Sequence, residues 1–133
     1  MEAIRIAAAQ FEVKNADKEF NLSAMSRLAE EAVKQGADVV SFPEVCIPAY
    51  SFMRKSSREE IHSYSETVPG GASVKRLIEM SGDLGIPILA GLIERDGDQY
   101  FNTYVCVDGD QFVAKFRKLH AFISPHISCG TEY

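Results

Sequence analysis

Short apolar runs alternate along this chain with longer stretches in which apolar residues recur at every third or fourth position. The runs at residues 4–11 and 37–44 are rich in β-branched and small residues, which favours strands buried on both faces. From residue 17 to residue 35 the apolar positions fall largely on one helical face, and Gly36 follows as a stop. The beginning of the chain therefore predicts a strand, a helix that packs on a sheet, and a second strand.

The remainder of the chain predicts two more helices and three more strands. Helical spacing returns at residues 58–64 and 72–85, with Ser73 as a candidate cap of the second helix. Two Asp-Gly-Asp turns then separate three predicted strands, at residues 86–94, 100–108 and 111–116. Helices between the first strands, followed by hairpins, predict an α/β fold with helices packed on a mixed β-sheet.

Composition limits the broad class of protein. The chain has 133 residues, of which 46% are hydrophobic and 25% are charged, as expected of a single globular domain. A net charge of −5 with scattered basic residues argues against nucleic acid or a membrane surface as a partner. Apolar runs are too short to cross a bilayer, and three irregularly spaced cysteines do not make a disulfide framework. We therefore expect a cytoplasmic protein.

Two charged residues follow predicted strands at positions suited to chemistry. Glu44 comes after Phe42-Pro43 at the carboxyl end of a strand, where open α/β sheets bind ligands, and a carboxylate there can act as a general base. Lys118 follows the last predicted strand and can hold a positive charge near a developing oxyanion. Position alone, however, favours a solvated side chain in a turn for both residues.

Each of the three cysteines is a candidate thiol nucleophile, and none has a local setting that singles it out. Cys106 lies in a strand alternation and is predicted to belong to the core. Cys46 is two residues past Glu44 and could line the same pocket, whereas Cys129 lies in the terminal loop.

Two weaker patterns also occur in the sequence. A metal site could be formed by His120, His126, Cys129 and Glu132, but their spacing matches no tight zinc pattern, and polar loop residues are the simpler interpretation. The glycines of Pro69-Gly70-Gly71 precede a predicted helix, whose amino terminus could receive an anion, although a plain loop fits better.

Five sequence segments in a fixed order together resemble a known protein family, although each segment alone is only a modest match. They are the Ile-Ala-Ala-Ala-Gln strand at residues 6–10 and the segments at residues 36–44, 84–94, 100–103 and 116–120. In this order they resemble the nitrilase or carbon–nitrogen hydrolase superfamily along almost the whole chain. The resemblance implies half of a four-layer α-β-β-α sandwich, in which two sheets face each other and helices cover the outsides.

The resemblance also implies roles for two residues. In that family a glutamate after Phe-Pro is the general base, and a lysine in an Arg-Lys-x-His segment stabilises the tetrahedral intermediate; by position these are Glu44 and Lys118. The family's nucleophilic cysteine lies on a later strand, and nothing here matches it. The family's second glutamate has no clear counterpart either, although His126 or Glu132 lies in that neighbourhood. We therefore expect residues 1–133 to be the amino-terminal part of one domain, truncated before the nucleophile and inactive alone.

Substrate and partners follow from the same resemblance. The implied substrate is a small non-peptide amide or nitrile, with amides favoured, and the loop at residues 46–52 is expected to line its pocket. No cofactor and no metal are implied. Half a sandwich leaves an apolar sheet face unpaired, so we expect a homo-oligomer or association with the missing carboxy-terminal half. Two other interpretations stay open, namely a non-catalytic binding or assembly module and one half of a split enzyme.

Overall fold

The computed structural model describes residues 3–131, which form one mixed β-sheet with helices packed on it. The strands are β1 (Ile6–Ala8), β2 (Val39–Ser41), β3 (Ile88–Asp96), β4 (Gln99–Asp108) and β5 (Gln111–Arg117). The helices are α1 (Lys18–Lys34), α2 (Arg58–Tyr64) and α3 (Ala72–Leu84), with a 3₁₀ turn at Ser51–Lys55. The order of strands in the sheet follows the chain, with β1, β2 and β3 parallel and with β4 and β5 each antiparallel to the preceding strand.

The helices begin and end where their local chemistry predicts. The carboxylate of Asp17 caps α1 by accepting a hydrogen bond from the backbone N–H of Phe20 (3.0 Å). Ser57 and Glu60 form a capping box at the start of α2. Helix α3 ends at Gly85, whose φ of 69° is left-handed. The predicted helices are confirmed to within one residue at each end, and each helix of residues 3–131 is too short or too polar for a bilayer span.

Two apolar clusters lie on opposite faces of the sheet. Successive residues of a strand point to opposite faces, and Leu92 and Ile93 of β3 belong to different clusters. The larger cluster contains Leu92 and joins the sheet to α1 and α3 through fully buried residues such as Met25 and Leu77. The smaller cluster contains Ile93 and covers one end of the other face with residues from the loops and α2, namely Val45, Met53, Ile61, Ile123 and Ile127.

Beyond the smaller cluster, that second face of the sheet is open to solvent in the described chain. Ile6 of β1 is 66% exposed and Phe116 of β5 is 50% exposed. Leu89 and Cys106, which pair across β3 and β4, are half-buried on the same face. We call these four residues the uncovered face. Contiguous exposed apolar surface is the kind of surface that proteins bury in contacts.

Strand β1 corrects one prediction, because it is not buried on both faces. Within residues 3–131 it pairs with β2 alone and so lies at the edge of the sheet. Ile4 and Ile6 are 73% and 66% exposed, and the strand is shorter than the predicted span of residues 4–11. The apolar run correctly predicted a strand, but a sequence pattern does not show whether a strand lies at the edge or in the middle of a sheet.

Candidate active site

Glu44 lies in the turn that leaves the carboxyl end of β2. The backbone N–H of Phe42 donates to the carbonyl of Leu89 in β3 (2.8 Å) and so continues the ladder one residue past β2. Pro43 then ends the ladder, because proline has no N–H to donate. The predicted location of Glu44, just beyond the end of a strand, agrees with the structure, and its side chain is 46% exposed.

The turn is also fastened to β3 after Glu44. Val45 has a φ of 48°, which is rare for a β-branched residue, and the side chain is fully buried in the smaller cluster. Two residues later the N–H of Ile47 donates to the carbonyl of Gly91 (3.2 Å). Packing and hydrogen bonds on both sides of Glu44 therefore hold the backbone in a conformation that Val45 would not adopt alone.

Lys118 directly follows β5 and reaches Glu44 from across the sheet. Its Nζ lies 2.7 Å from Oε2 of Glu44, although 74 residues separate the two in the chain. This hydrogen bond and the charge of the carboxylate raise the pKa of Lys118, although partial burial of the amine acts in the opposite direction. Lys118 is therefore positively charged throughout the neutral pH range.

Glu44 and Lys118 line an open pocket of about 290 Å³ on the second face of the sheet. Its other walls in the described chain are Asn102, Tyr104 and Phe116. Asn102 is 3% exposed, and its Nδ2 donates to Oε2 of Glu44 at 3.1 Å, the same oxygen that Lys118 contacts. The pocket thus combines a carboxylate, a positively charged amine, an amide and an aromatic wall.

Asn102 and Tyr104 were not predicted from the sequence as residues of the site. The hydroxyl of Tyr104 donates to the carbonyl of Phe42 (2.5 Å) and accepts from Oγ of Ser41 (2.8 Å), which ties β4 to the end of β2 beside Glu44. The only available signal was a polar side chain within an apolar strand, since such residues are buried only when they find partners. The pattern does not reveal which partner they find.

The structure separates Cys46 and Cys106 from the pocket. Cys46 is 1% exposed and packs in the larger cluster beside Met25, and burial raises its pKa to about 11. The suggestion that Cys46 lines the pocket of Glu44 is therefore wrong. Cys106 was predicted to be core but lies half-buried on the uncovered face, where burial and the charge of Asp108 raise its pKa. Cys129 is exposed in the loop after β5.

The loop at residues 46–52 borders the site at Tyr50. The ring of Tyr50 lies 5.8 Å from Nζ of Lys118. Ser51 and Phe52 line a separate open depression of about 760 Å³ instead. Residues 46–49 are buried, so the expectation that the whole loop lines the pocket is wrong.

The amino terminus of α3 receives an anion from the chain itself. The carboxylate of Glu66 accepts hydrogen bonds from the backbone N–H (2.8 Å) and the hydroxyl (2.7 Å) of Ser73, and it pairs with Lys18 (2.6 Å). Gly71, not Ser73, is the N-cap residue, so the predicted cap is wrong. The glycine-rich segment before α3 thus has a structural role, because its anion site is filled by Glu66.

The suggested metal ligands do not converge in the described chain. Among residues 3–131, no three or more His, Cys, Asp or Glu side chains are grouped so as to share a metal ion. His120 is exposed and His126 is half-buried. Glu132, the fourth suggested ligand, lies outside the described residues.

A carboxylate paired with a charged lysine at the carboxyl end of a sheet brings together two groups that can serve acyl transfer, the first as a base and the second as an electrostatic stabiliser. Residues 5–130 match the carbon-nitrogen hydrolase family model, and the chain belongs to that family. It is 34% identical over 119 residues to a nitrilase of Pyrococcus abyssi, covering 90% of this chain and 44% of that protein. It is 32% identical over 124 residues to an omega-amidase of Bos taurus, covering 92% of this chain and 42% of that protein. The chain therefore spans less than half the length of these relatives.

Solved structures have the same fold. A nitrilase-superfamily protein from Saccharomyces cerevisiae superimposes with a TM-score of 0.81 at 24% identity, over 97% of this chain and 49% of that one. An amidase from Nesterenkonia sp. superimposes with a TM-score of 0.76 at 23% identity, over the same shares of the two chains. The predicted nitrilase-like α/β fold with a mixed sheet is confirmed.

Proposed function

We propose that this chain provides the base and the oxyanion-stabilising half of a hydrolase that cleaves a carbon–nitrogen bond of a small non-peptide amide or nitrile. The observation that carries the proposal is the 2.7 Å contact between Nζ of Lys118 and Oε2 of Glu44 in an open pocket. The relatives include both nitrilases and amidases, which supports the bond type. Of the two substrate classes we favour amides, as the resemblance implied.

The two residues suit successive steps of amide hydrolysis. Glu44 accepts the proton of a thiol, and the thiolate attacks the carbonyl carbon, whose oxygen takes up the negative charge beside Lys118. The C–N bond then breaks, and the nitrogen leaves as ammonia with the proton that Glu44 held. Glu44 next takes a proton from water, which attacks the thioester, releases the carboxylic acid and restores the thiol.

We propose that the thiol comes from outside residues 1–133, because none of the three cysteines present lines the pocket of Glu44 and Lys118. Cys46 is enclosed in the core, and its pKa of about 11 keeps it protonated at neutral pH. Cys106 lies on the uncovered face, and its pKa is raised by burial. Cys129 is exposed, and its Sγ lies 3.9 Å from the carbonyl of Ala121 in its own loop. The 133-residue chain is then inactive alone.

The partner that we propose for the uncovered face is the carboxy-terminal half of the same domain. The exposed Ile6 and Phe116 support this proposal, since a second sheet packed on them would bury their apolar surface. Phe116 also lines the pocket of Glu44 and Lys118, so a sheet packed there would lie against the reacting groups. We also propose that complete domains associate into a homo-oligomer, as the resemblance implied.

A cytoplasmic location is part of the proposal. All three cysteines are free. Free thiols persist in a reducing compartment, and the reaction as proposed requires one more thiol that stays reduced.

The test is ammonia release from a panel of small aliphatic amides and nitriles. It compares the 133-residue chain with the product of the complete reading frame that encodes it. We expect turnover by the complete product alone, and we expect that turnover to survive replacement of Cys46, Cys106 or Cys129 by serine. Turnover by the 133-residue chain, lost on Cys129→Ser, would overturn the proposed source of the thiol. A complete product that releases no ammonia from any amide or nitrile would overturn the proposed function.

A further inference from the structure

Asn102 contacts both charged residues of the pocket, each through a different part of its structure. Its side-chain Nδ2 donates to Oε2 of Glu44 (3.1 Å), and its backbone carbonyl accepts from the backbone N–H of Lys118 (2.8 Å). Asn102 lies in the middle of β4, opposite the fully buried Ile93 of β3. One residue of β4 therefore contacts both the carboxylate of Glu44 and the backbone of Lys118.

Chemistry fixes the orientation of the Asn102 amide. An ionised carboxylate only accepts hydrogen bonds, so the group that faces Glu44 must be the NH₂ and not the carbonyl oxygen. Asn102 and Lys118 both donate to Oε2, whereas no hydrogen bond among residues 3–131 reaches Oε1. The two donors thus hold one oxygen of the carboxylate and leave the other to exchange a proton.

We infer that Asn102 is a positioning residue, which holds the carboxylate of Glu44 against Lys118 through Oε2 and so presents Oε1 as the oxygen that accepts the proton. The inference rests on the proposed roles of Glu44 and Lys118. It adds a third residue, which acts through Glu44 and touches no reacting atom.

The surroundings of the pair explain why an added donor is needed. The side chains of Glu44 and Lys118 are 46% and 31% exposed, and ion pairs with this exposure are weak because solvent screens them and both long side chains can rotate. Asn102 is 3% exposed and has few rotatable bonds, so its amide is already fixed by the sheet. With Lys118 as its only donor, the carboxylate of Glu44 would still be able to rotate. The fixed hydrogen bond from Asn102 to Oε2 removes that freedom.

The experiment is a cycle of variants of the 133-residue chain, read through the pKa of Lys118 by NMR titration of its side-chain amine. Glu44→Gln lowers that pKa, because the Glu44 carboxylate is what raises it. If Asn102 holds the carboxylate in place, the decrease caused by Glu44→Gln becomes less than about half as large in an Asn102→Leu background. Leucine has the same number of side-chain heavy atoms and the same branching as asparagine, and it donates no hydrogen bond.

The matched control is Thr103→Val in the next position of β4. Thr103 is fully buried, and its hydroxyl donates to Glu94 (2.8 Å), so this variant also removes one buried hydrogen bond from the strand without touching Glu44. We expect the full decrease on Glu44→Gln in the Thr103→Val background. An equal or larger decrease in the Asn102→Leu background would overturn the inference, whatever the amidase assay gives. Loss of coupling in the 133-residue chain, together with a complete product whose turnover is unaffected by Glu44→Gln, would keep Asn102 as the residue that positions the carboxylate and refute Glu44 as the proton acceptor.

Discussion

Gly91 of β3 lies directly beneath the backbone of Val45, the residue that follows Glu44. A Cβ atom at position 91 would lie 2.1 Å from the amide nitrogen of Val45 and 2.7 Å from the carbonyl carbon of Glu44. Glycine is thus required here for close approach of two backbones and not for an unusual dihedral angle. The turn that presents Glu44 can rest on the sheet only because β3 has no side chain at this point.

Gly91→Ala is therefore expected to destabilise the protein and displace Glu44. The contact is with backbone, which cannot rotate away as a side chain can, so we expect a loss of about 3 kcal/mol or more in the free energy of unfolding. Urea denaturation measures it. Gly82→Ala is the matched control, because its Cβ meets nothing closer than 3.6 Å and alanine is favoured over glycine within α3. Equal stability of the two variants would show that the close approach is unimportant.

Glu94 anchors the strand end that leads to Lys118. Its side chain is 2% exposed and accepts hydrogen bonds from Arg117 (2.7 and 2.9 Å) and from Lys115. We expect Glu94→Gln to cost about 3 kcal/mol of unfolding free energy, because it leaves two cations without their buried partner. Glu79→Gln breaks the exposed pair with Arg76 and should change stability by less than about 0.5 kcal/mol. A Glu94→Gln protein as stable as Glu79→Gln would contradict the importance of the buried cluster.

The stability of the protein is expected to fall in acid because of Glu94 and Glu66. Burial raises their pKa values, but hydrogen bonds from Arg117 and Lys115 to Glu94, and from Lys18 and neighbouring groups to Glu66, outweigh it and lower both. A lowered folded pKa gives stability that is present above the ordinary glutamate value of about 4.3 and lost as the pH falls through the folded pKa. Urea denaturation from about pH 7 to about pH 3 should show a shallower fall in Glu94→Gln than in the wild type. Parallel curves would mean that Glu94 contributes nothing to the acid sensitivity.

Alkylation of the cysteines distinguishes the core thiol from the exposed one. Cys129 is exposed and Cys46 is 1% exposed with a pKa of about 11, so iodoacetamide at about pH 8 should modify Cys129 first and Cys46 only on unfolding. Peptide mapping by mass spectrometry gives the order. Modification of Cys46 in the native protein at the rate of Cys129 would reopen Cys46 as a candidate nucleophile.

Local signals made the helices and hairpins predictable from the sequence. Asp17 marks the start of α1 through its side-chain carboxylate, and Gly85 marks the end of α3 through its left-handed backbone. The Asp-Gly-Asp turns set the end of β3, both ends of β4 and the start of β5. The exposure of Ile6 was not predictable, since it depends on β1 lying at the edge of the sheet.

The candidate site was only partly predictable for the same reason. Glu44 and Lys118 were singled out by their positions after predicted strands and given roles by a resemblance. Their contact across 74 residues follows from strand order and register, which no local pattern contains. Asn102 was overlooked because its partner is set by the turn at Val45. Their catalytic roles stay predictions.

The most direct test of the central claim is the kcat/KM for ammonia release from one small amide by the complete product. The variants to compare are Glu44→Gln, Lys118→Ala and the surface control Glu79→Gln. Removing a general base costs about 10²–10⁴-fold and removing an oxyanion stabiliser about 10²–10³-fold. We therefore expect losses of at least about 100-fold for the first two variants and none for the control. A Glu44→Gln protein that folds and retains most of its kcat/KM would contradict the assignment of Glu44 as the base.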